Sequence, residues 1–357
     1  MIAVRGKKEM NEDKLYFASD YQEGMCEEIL ERLQETNRTP VSGYGSDVYS
    51  ERAKAKIREA MEAEDAEVYF LAGGTQTNAV AIAAALKGYE GVIAADTGHI
   101  ALHEAGAIEA SGHKVLTVKG EYGKMKPGDL RAFLQAFFAD ENHEHMVFPG
   151  LVYLSHPSEY GTLYSRAELE AIRTVCDEYK IGLYVDGARL AYALAAKEND
   201  VSLPDLARLA DMFYIGGTKC GAMLGEALVV TAKYRIPNLF TTIKQKGALL
   251  AKGRMVGISF ETLFTGGLYE QIAKRALKNA DVLRSALSSM GWTLVCKNPT
   301  NQIFTVIGND SYEKLKEKVV FSYWEPYDKN HTVIRFATSW ATDERDVEAL
   351  IAILKEL

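Results

Sequence analysis

No stretch of this 357-residue chain is apolar for long enough to cross a bilayer. Its opening, MIAVRGKKEMNEDK, lacks the hydrophobic core of a secretory signal, so the expected location is cytoplasmic. Positive charge is in short supply, with 41 Lys and Arg against 49 Asp and Glu and a formal net charge of -8. Nucleic-acid binding needs concentrated cationic surface, so that class is disfavoured. Only four cysteines occur, Cys26, Cys176, Cys220 and Cys296, and none has CxxC spacing. They read as reduced core thiols, with Cys220 a buried spacer beside a special lysine. Neither the dinucleotide fingerprint GxGxxG nor the P-loop GxxxxGK[ST] is present, which disfavours a nicotinamide dehydrogenase. Repeats and low-complexity segments are absent too.

What is there is an ordinary globular composition, 47% hydrophobic and 25% charged. The length suggests about two domains at roughly 150 residues each. Strand-like runs alternate with helical patterns through the first two thirds: Val68–Ala72, Val147–Leu154, Ile181–Val185 and Met212–Ile215 against Asn78–Leu86, Arg166–Tyr179 and Leu203–Leu209. That rhythm predicts a parallel sheet covered by helices on both faces. The last hundred residues lose it. A long helix over Tyr269–Met290 precedes two strands, Gln302–Ile307 and Thr332–Phe336, and a helix over Asp346–Leu354 capped by Thr342 or Asp343. The expected architecture is therefore α/β, with a smaller C-terminal α+β domain and a boundary near residues 255–268. The division adopted is an N-terminal arm at 1–20, a large domain at 21–260 and a small one at 261–357.

In open parallel sheets, ligands sit beyond the carboxyl ends of the strands, so residues just after each strand carry the information. Gly73-Gly74-Thr75 joins a strand to a helix. Glycines let backbone approach a phosphate, although the same turn serves equally with Thr75 as a plain helix cap. Asp186 in YVDGAR leaves a buried strand and needs a partner, either a protonated pyridine nitrogen or an arginine such as Arg189. Lys219 in FYIGGTKCGA follows a strand and two glycines; desolvation there would make it a nucleophile able to form a Schiff base. The bland alternative is a surface lysine on a turn. Thr218 offers a hydroxyl to a phosphate. His99 in DTGHIALHE can stack on an aromatic ring and relay a proton, and its i, i+4 spacing to His103 makes a metal pair conceivable without a third ligand. No metal site is expected. His143 and His145 lie in an acidic, loop-like stretch and read as solvent-facing. From Lys233 to Arg254 six cationic residues occur without an acid, which suits an anionic ligand, an acidic partner surface or a solvated helix face.

At these positions the sequence resembles the threonine aldolase and β-eliminating lyase family, within the fold-type I pyridoxal phosphate enzymes. The shared pieces run in order: Ser19-Asp20, YGSD at Tyr44–Asp47, GGTQTN at Gly73–Asn78, H-x4-EAGA from His99 to Ala107, VDGAR at Val185–Arg189, Thr218-Lys219, GRMVG at Gly253–Gly257 and IRF at Ile334–Phe336. The resemblance implies an aspartate aminotransferase-like fold with a mostly parallel seven-stranded-type sheet and pyridoxal 5'-phosphate as cofactor. It implies Lys219 on the aldehyde, Asp186 on the pyridine nitrogen and His99 on the ring. Gly74, Thr75, Thr218 and Arg254 would hold the phosphate, Arg254 often across a subunit interface. Ser19, Arg189 and Arg335 would bind the substrate carboxylate, with Tyr44 and His103 also near the substrate. It further implies a homodimer or homotetramer with sites between subunits.

One segment departs from the family pattern. SHPSEYGT follows the strand Val147–Leu154, and Glu159 stands where aldolases commonly carry a histidine near the β-hydroxyl. His103 occupies a place that is often aromatic. The resulting expectation is a lyase cleaving Cα–Cβ of a β-hydroxy-α-amino acid, with Lys219, His99, Asp186 and Glu159 as catalytic residues. β-Elimination on another amino acid is the second reading, and a non-catalytic binding protein of the same fold the third.

Overall fold

The computed structural model describes residues 14–357, so residues 1–13 of the expected arm lie outside the described residues. A seven-stranded sheet takes the order Glu67–Leu71, Glu226–Val230, Met212–Gly216, Gly182–Asp186, Phe148–Ser155, Glu90–Ala95, Val115–Val118. Every pairing is parallel except those of Glu226–Val230, which runs against both neighbours. The sequence patterns for Glu90–Ala95, Val115–Val118 and Glu226–Val230 had not marked them as strands. The middle strands are buried on both faces, so they read as continuous apolar runs. Side-chain alternation then divides them between two cores: Leu183 and Val185 enter one, while Tyr184 enters the other.

Helices close both faces. Arg166–Tyr179 follows its expected bounds, because Ser165 and Glu168 form a reciprocal capping box and Lys180 ends the helix at φ 57°. Leu169, Ile172, Val175 and Cys176 form its buried stripe. Each such aliphatic side chain contributes roughly 1.5–3 kcal/mol on burial. Gly74–Ala85 begins earlier than its alanine-rich pattern suggested, with Gly73 rather than Thr75 at the N-cap.

The C-terminal region holds a three-stranded antiparallel sheet, ordered Gln302–Gly308, His331–Ala337, Ser322–Pro326. The last strand, and the helix Asn309–Lys318, escaped the sequence reading. SYWEP has a proline and a bulge at Tyr323/Glu325, which disguise its alternation. Asp343 caps the terminal helix Glu344–Lys355 by accepting from Arg345 N–H. The long helix Leu268–Ser289 serves both regions. Leu268, Tyr269, Ile272 and Ala273 join the large core, whereas Ala280, Leu283 and Leu287 join the small one.

The beginning of the described chain belongs with that small core. Leu15–Tyr16 pairs in parallel with Val319–Val320, and Phe17 is buried edge-on to Phe336 at 6.4 Å between ring centroids. Phe17→Ala should cost about 3–5 kcal/mol, the usual range for an aromatic removed from a core. A lowered urea midpoint checks this; an unchanged midpoint would show that the segment merely rests on the surface.

Candidate active site

The loops after the sheet strands converge because two of them lack side chains where they touch. A Cβ on Gly187 would stand 2.1 Å from the carbonyl oxygen of Tyr214, and one on Gly216 would stand 2.3 Å from that of Ala188. This close approach places the ends of Gly182–Asp186 and Met212–Gly216 side by side. A cavity of about 290 Å³ opens there, lined by residues that include Gly74, Thr75, His99, Glu159, Asp186, Arg189, Thr218 and Lys219.

Asp186 is buried at the cavity floor. Its Oδ2 accepts from the Tyr153 hydroxyl at 2.6 Å and Asn78 Nδ2 at 3.0 Å, and Oδ1 accepts from Ala188 N–H at 2.9 Å. Burial alone would raise its pKa. The His99 imidazole and the hydrogen bonds from Tyr153, Tyr214 and Asn78 outweigh that and hold the carboxyl below its ordinary value. Lys219 also borders the cavity, with its Nζ 5.8 Å from the Tyr21 ring centroid. Burial, reinforced by the Arg189 charge, lowers its pKa despite opposition from Asp20, Asp186 and Glu226.

His99 is oriented from both ends. Its Nδ1 lies 2.7 Å from Glu104 Oε1, and its backbone N–H donates to Glu159 Oε1 at 2.7 Å. With the carboxylate of Glu104 at Nδ1, that nitrogen is placed to carry the ring hydrogen, and Nε2 is the nitrogen left to other partners. Ser155 Oγ also donates to Glu159 Oε1, at 2.6 Å, whereas the buried Oε2 has no protein partner. Burial raises the Glu159 pKa.

The expected carboxylate-binding residues gather at one side. Arg189 is already engaged by Asp20, Nε to Oδ2 at 2.6 Å and Nη2 to Oδ1 at 2.9 Å, while Asn301 Nδ2 donates to the same carboxylate at 2.9 Å. Arg335 does not border the cavity. Its Nη1 donates to Gln302, its Nη2 to the Ala18 carbonyl and Ser322, and its buried Nε has no partner. Burial, and the like charge of Arg189, bring Arg335 down to about 10. Ser19 sits between Ala18 and Asp20, outside the cavity lining, and its N–H donates to Gln22 at 3.3 Å. His103 stands with its ring centroid 5.7 Å from that of His99 and 6.0 Å from that of Trp324.

Two expected residues are elsewhere in this chain. Arg254 donates to the carbonyls of Thr36 and Thr39, at the end of the helix Glu27–Thr36, where a cation complements the helix dipole. Tyr44 is exposed beside Phe240, with Lys244 Nζ 4.2 Å from its ring centroid. The Thr218 hydroxyl is at the cavity but already lies 2.7 Å from Glu226 Oε1. Sequence reasoning missed Asn78, Glu104, Tyr153 and Glu226, and gave Asp20 no role although the Ser19-Asp20 pair had been singled out. The Asn78 and Glu104 signals lay in GGTQTN and H-x4-E; Tyr153 and Glu226 sit inside or beside apolar runs with nothing to mark them.

The sheet and cavity define a class first. The fold is that of the aspartate aminotransferases: the Thermus thermophilus aspartate aminotransferase superposes with a TM-score of 0.71 over 96% of this chain and 91% of its own, at 14% identity. The chain belongs to the threonine aldolase and β-eliminating lyase family, and the Beta-eliminating lyase family model matches residues 17–309. A low specificity L-threonine aldolase from Pseudomonas aeruginosa is 30% identical over 96% of this chain and 97% of its own length. One from a Pseudomonas sp. is 29% identical, covering 97% of this chain and 99% of its own. A Leishmania major threonine aldolase structure is 41% identical, with a TM-score of 0.92 over 96% of this chain and 99% of its own.

Burial raises the Asp20 pKa, but Arg189, Lys219 and Asn301 outweigh it and bring the group to about 2, against 3.8 for the reference carboxyl. The pair therefore stabilises the fold by roughly 2 kcal/mol above pH 4, and that contribution is lost as pH falls through about 2. Urea midpoints between those limits should drop more steeply for the native chain than for Asp20→Asn. Parallel slopes would contradict the assignment.

Proposed function

We propose that the protein is a pyridoxal phosphate-dependent lyase that cleaves the Cα–Cβ bond of L-threonine or L-allo-threonine to glycine and acetaldehyde. The observation that carries this reading is one cavity at the strand ends holding both a lysine of lowered pKa and an aspartate kept ionised. Those residues fit the cofactor. Lys219 would take its aldehyde, Asp186 its pyridine N–H, and the helix start at Gly73–Thr75 its phosphate, where unpaired N–H groups and the dipole favour an anion. Once bound, the cofactor supplies an electron sink for the pair left on Cα when the bond breaks.

The chain does the rest. Asp186 keeps the ring nitrogen protonated. Arg189 presents a guanidinium whose Nε and Nη2 are fixed by Asp20, leaving Nη1 for the substrate carboxylate. Arg335, outside the cavity lining, holds the Ala18 carbonyl and so steadies the segment 18–20 that engages Arg189. Such an anchor fixes which Cα bond stands perpendicular to the ring. The β-hydroxyl proton passes to Glu159 Oε2, which burial makes a stronger base than an ordinary carboxylate, with His99 Nε2 as the other acceptor in reach of the cavity.

Supplying L-threonine and L-allo-threonine to cofactor-loaded protein should release glycine and acetaldehyde in equal amounts. Ammonia and a keto acid without glycine would instead establish β-elimination. Loss of a positioned base typically costs about 100-fold or more, so Glu159→Gln should lower kcat by that order while cofactor binding, read by absorbance, persists. Unchanged turnover would transfer the role to His99.

The same reading includes a homo-oligomer. Tyr44, Val48, Phe240 and Met255 are exposed apolar side chains, and Tyr44 and Arg254 lie away from the cavity of their own chain. A second copy packed there would bring those residues toward its neighbour's site. The cytoplasm is the compartment that suits the four free thiols. No helix among the described residues is long and apolar enough to cross a membrane.

A further inference from the structure

Glu226 has no part in the scheme above, yet it borders the same cavity as Lys219, buried at the start of the antiparallel strand. Its Oε1 lies 2.7 Å from Thr218 Oγ1, and its Oε2 accepts from Gly217 N–H at 3.0 Å. Gly225 N–H donates to Thr218 Oγ1 at 3.1 Å. These contacts fix where the protons go. An ionised carboxylate has no hydrogen to give, so Thr218 must donate to Glu226 and has none left for a ligand. A protonated Glu226 reverses the bond. Its O–H donates to Thr218 Oγ1, whose two lone pairs then serve Glu226 and Gly225, and the threonine hydrogen is released toward the cavity.

We propose that Glu226 is a positioning residue for anion binding: as a neutral acid it turns Thr218 into a donor toward the cofactor phosphate. This rests on the reading of the cavity as a pyridoxal phosphate site. Burial raises the Glu226 pKa to about 8, against the lowering effects of Thr218, Lys219 and Gly217 and with help from Asp186. Tyr184, Tyr214, Tyr269 and the Cys220 thiol also face it, and all four are held protonated by burial. A phosphate at the Gly73–Thr75 end of the cavity adds a further negative charge, which favours the acid form again. Above pH 8, binding therefore takes up to one proton from solvent onto Glu226, and the phosphate meets a hydroxyl donor instead of a second anion.

The test uses apo-protein and pyridoxine 5'-phosphate, which has the ring and phosphate but no aldehyde, so Lys219 chemistry does not contribute. Calorimetry in two buffers of different ionisation enthalpy counts the protons taken up on binding. Above pH 8 the Kd of the native protein should rise about tenfold per pH unit more steeply than that of Glu226→Gln, because one linked proton gives that slope. The glutamine amide donates to Thr218 at every pH, and the ligand's own ionisations are common to both proteins. Thr218→Val provides a second arm, with weaker binding below pH 8 and the extra slope gone. Parallel profiles for native and Glu226→Gln, with equal proton counts, would overturn the role of Glu226 and leave the cofactor reading standing. If Glu226→Gln does not fold, Thr218→Val decides: retention of the extra slope overturns the proposal. Failure of the native protein to bind any phosphorylated pyridoxine would remove both.

Discussion

Asn78 gives its side-chain amide to two buried carboxylates, Glu104 at 2.8 Å and Asp186 at 3.0 Å, and receives the Tyr184 hydroxyl at 2.9 Å on its own oxygen. Much of the site hangs from that fork. Two anions so close in an apolar interior would neutralise unless each found donors. Asp186 draws the rest of its donors from Tyr153 and Ala188, and Glu104 draws His99. The His99 ring in turn helps keep Asp186 ionised. Asp186 and His99, the residues proposed to meet the ring nitrogen and to stack on the ring, are thus electrostatically joined through one amide. The first helix after the sheet edge carries that amide, which is why the helix starting at Gly74 matters beyond its phosphate-facing end.

Polar groups after apolar strands were readable in the sequence, because a charge at the end of a buried strand demands a reason. Lys219, Asp186 and His99 came from that rule and Glu159 from the departure from the family pattern, and all four line one cavity. The second layer was far less visible. Tyr153 looks like any aromatic inside VYLS, and its function as donor to Asp186 depends on a neighbouring strand 33 residues away in sequence. Glu226 was hidden for a related reason. It begins a strand that runs against its neighbours, and the alternating βα rhythm has no place for an antiparallel insertion. The three-stranded C-terminal sheet was half legible. Gln302–Gly308 and His331–Ala337 carry strong apolar patterns, but the bulged edge strand between them does not.

Arginine positions show where local reasoning stops. Arg189, Arg335 and Arg254 look alike as isolated cations, yet the fold gives them different surroundings. Arg189 is clamped by Asp20, Arg335 is held by Gln302, Ser322 and a carbonyl, and Arg254 closes a helix end away from the cavity. None of these partners is within ten residues in sequence, so no spacing rule could have separated the three. What distinguishes them is tertiary packing alone.

Asp20 sits where the two cores meet. It is reached by Arg189, whose strand-end loop belongs to the large sheet, and by Asn301, which leads into the small one. The chain arrives at Asp20 from Phe17, buried in the small core, and Arg335 holds the intervening Ala18 carbonyl. The proposed anchor for a substrate carboxylate is consequently also a junction between the two cores. An amino acid whose carboxylate met Arg189 would bear on the point where the two cores join, through the part that every α-amino acid shares. Discrimination among side chains would then fall to the wall of the cavity that Glu159 lines.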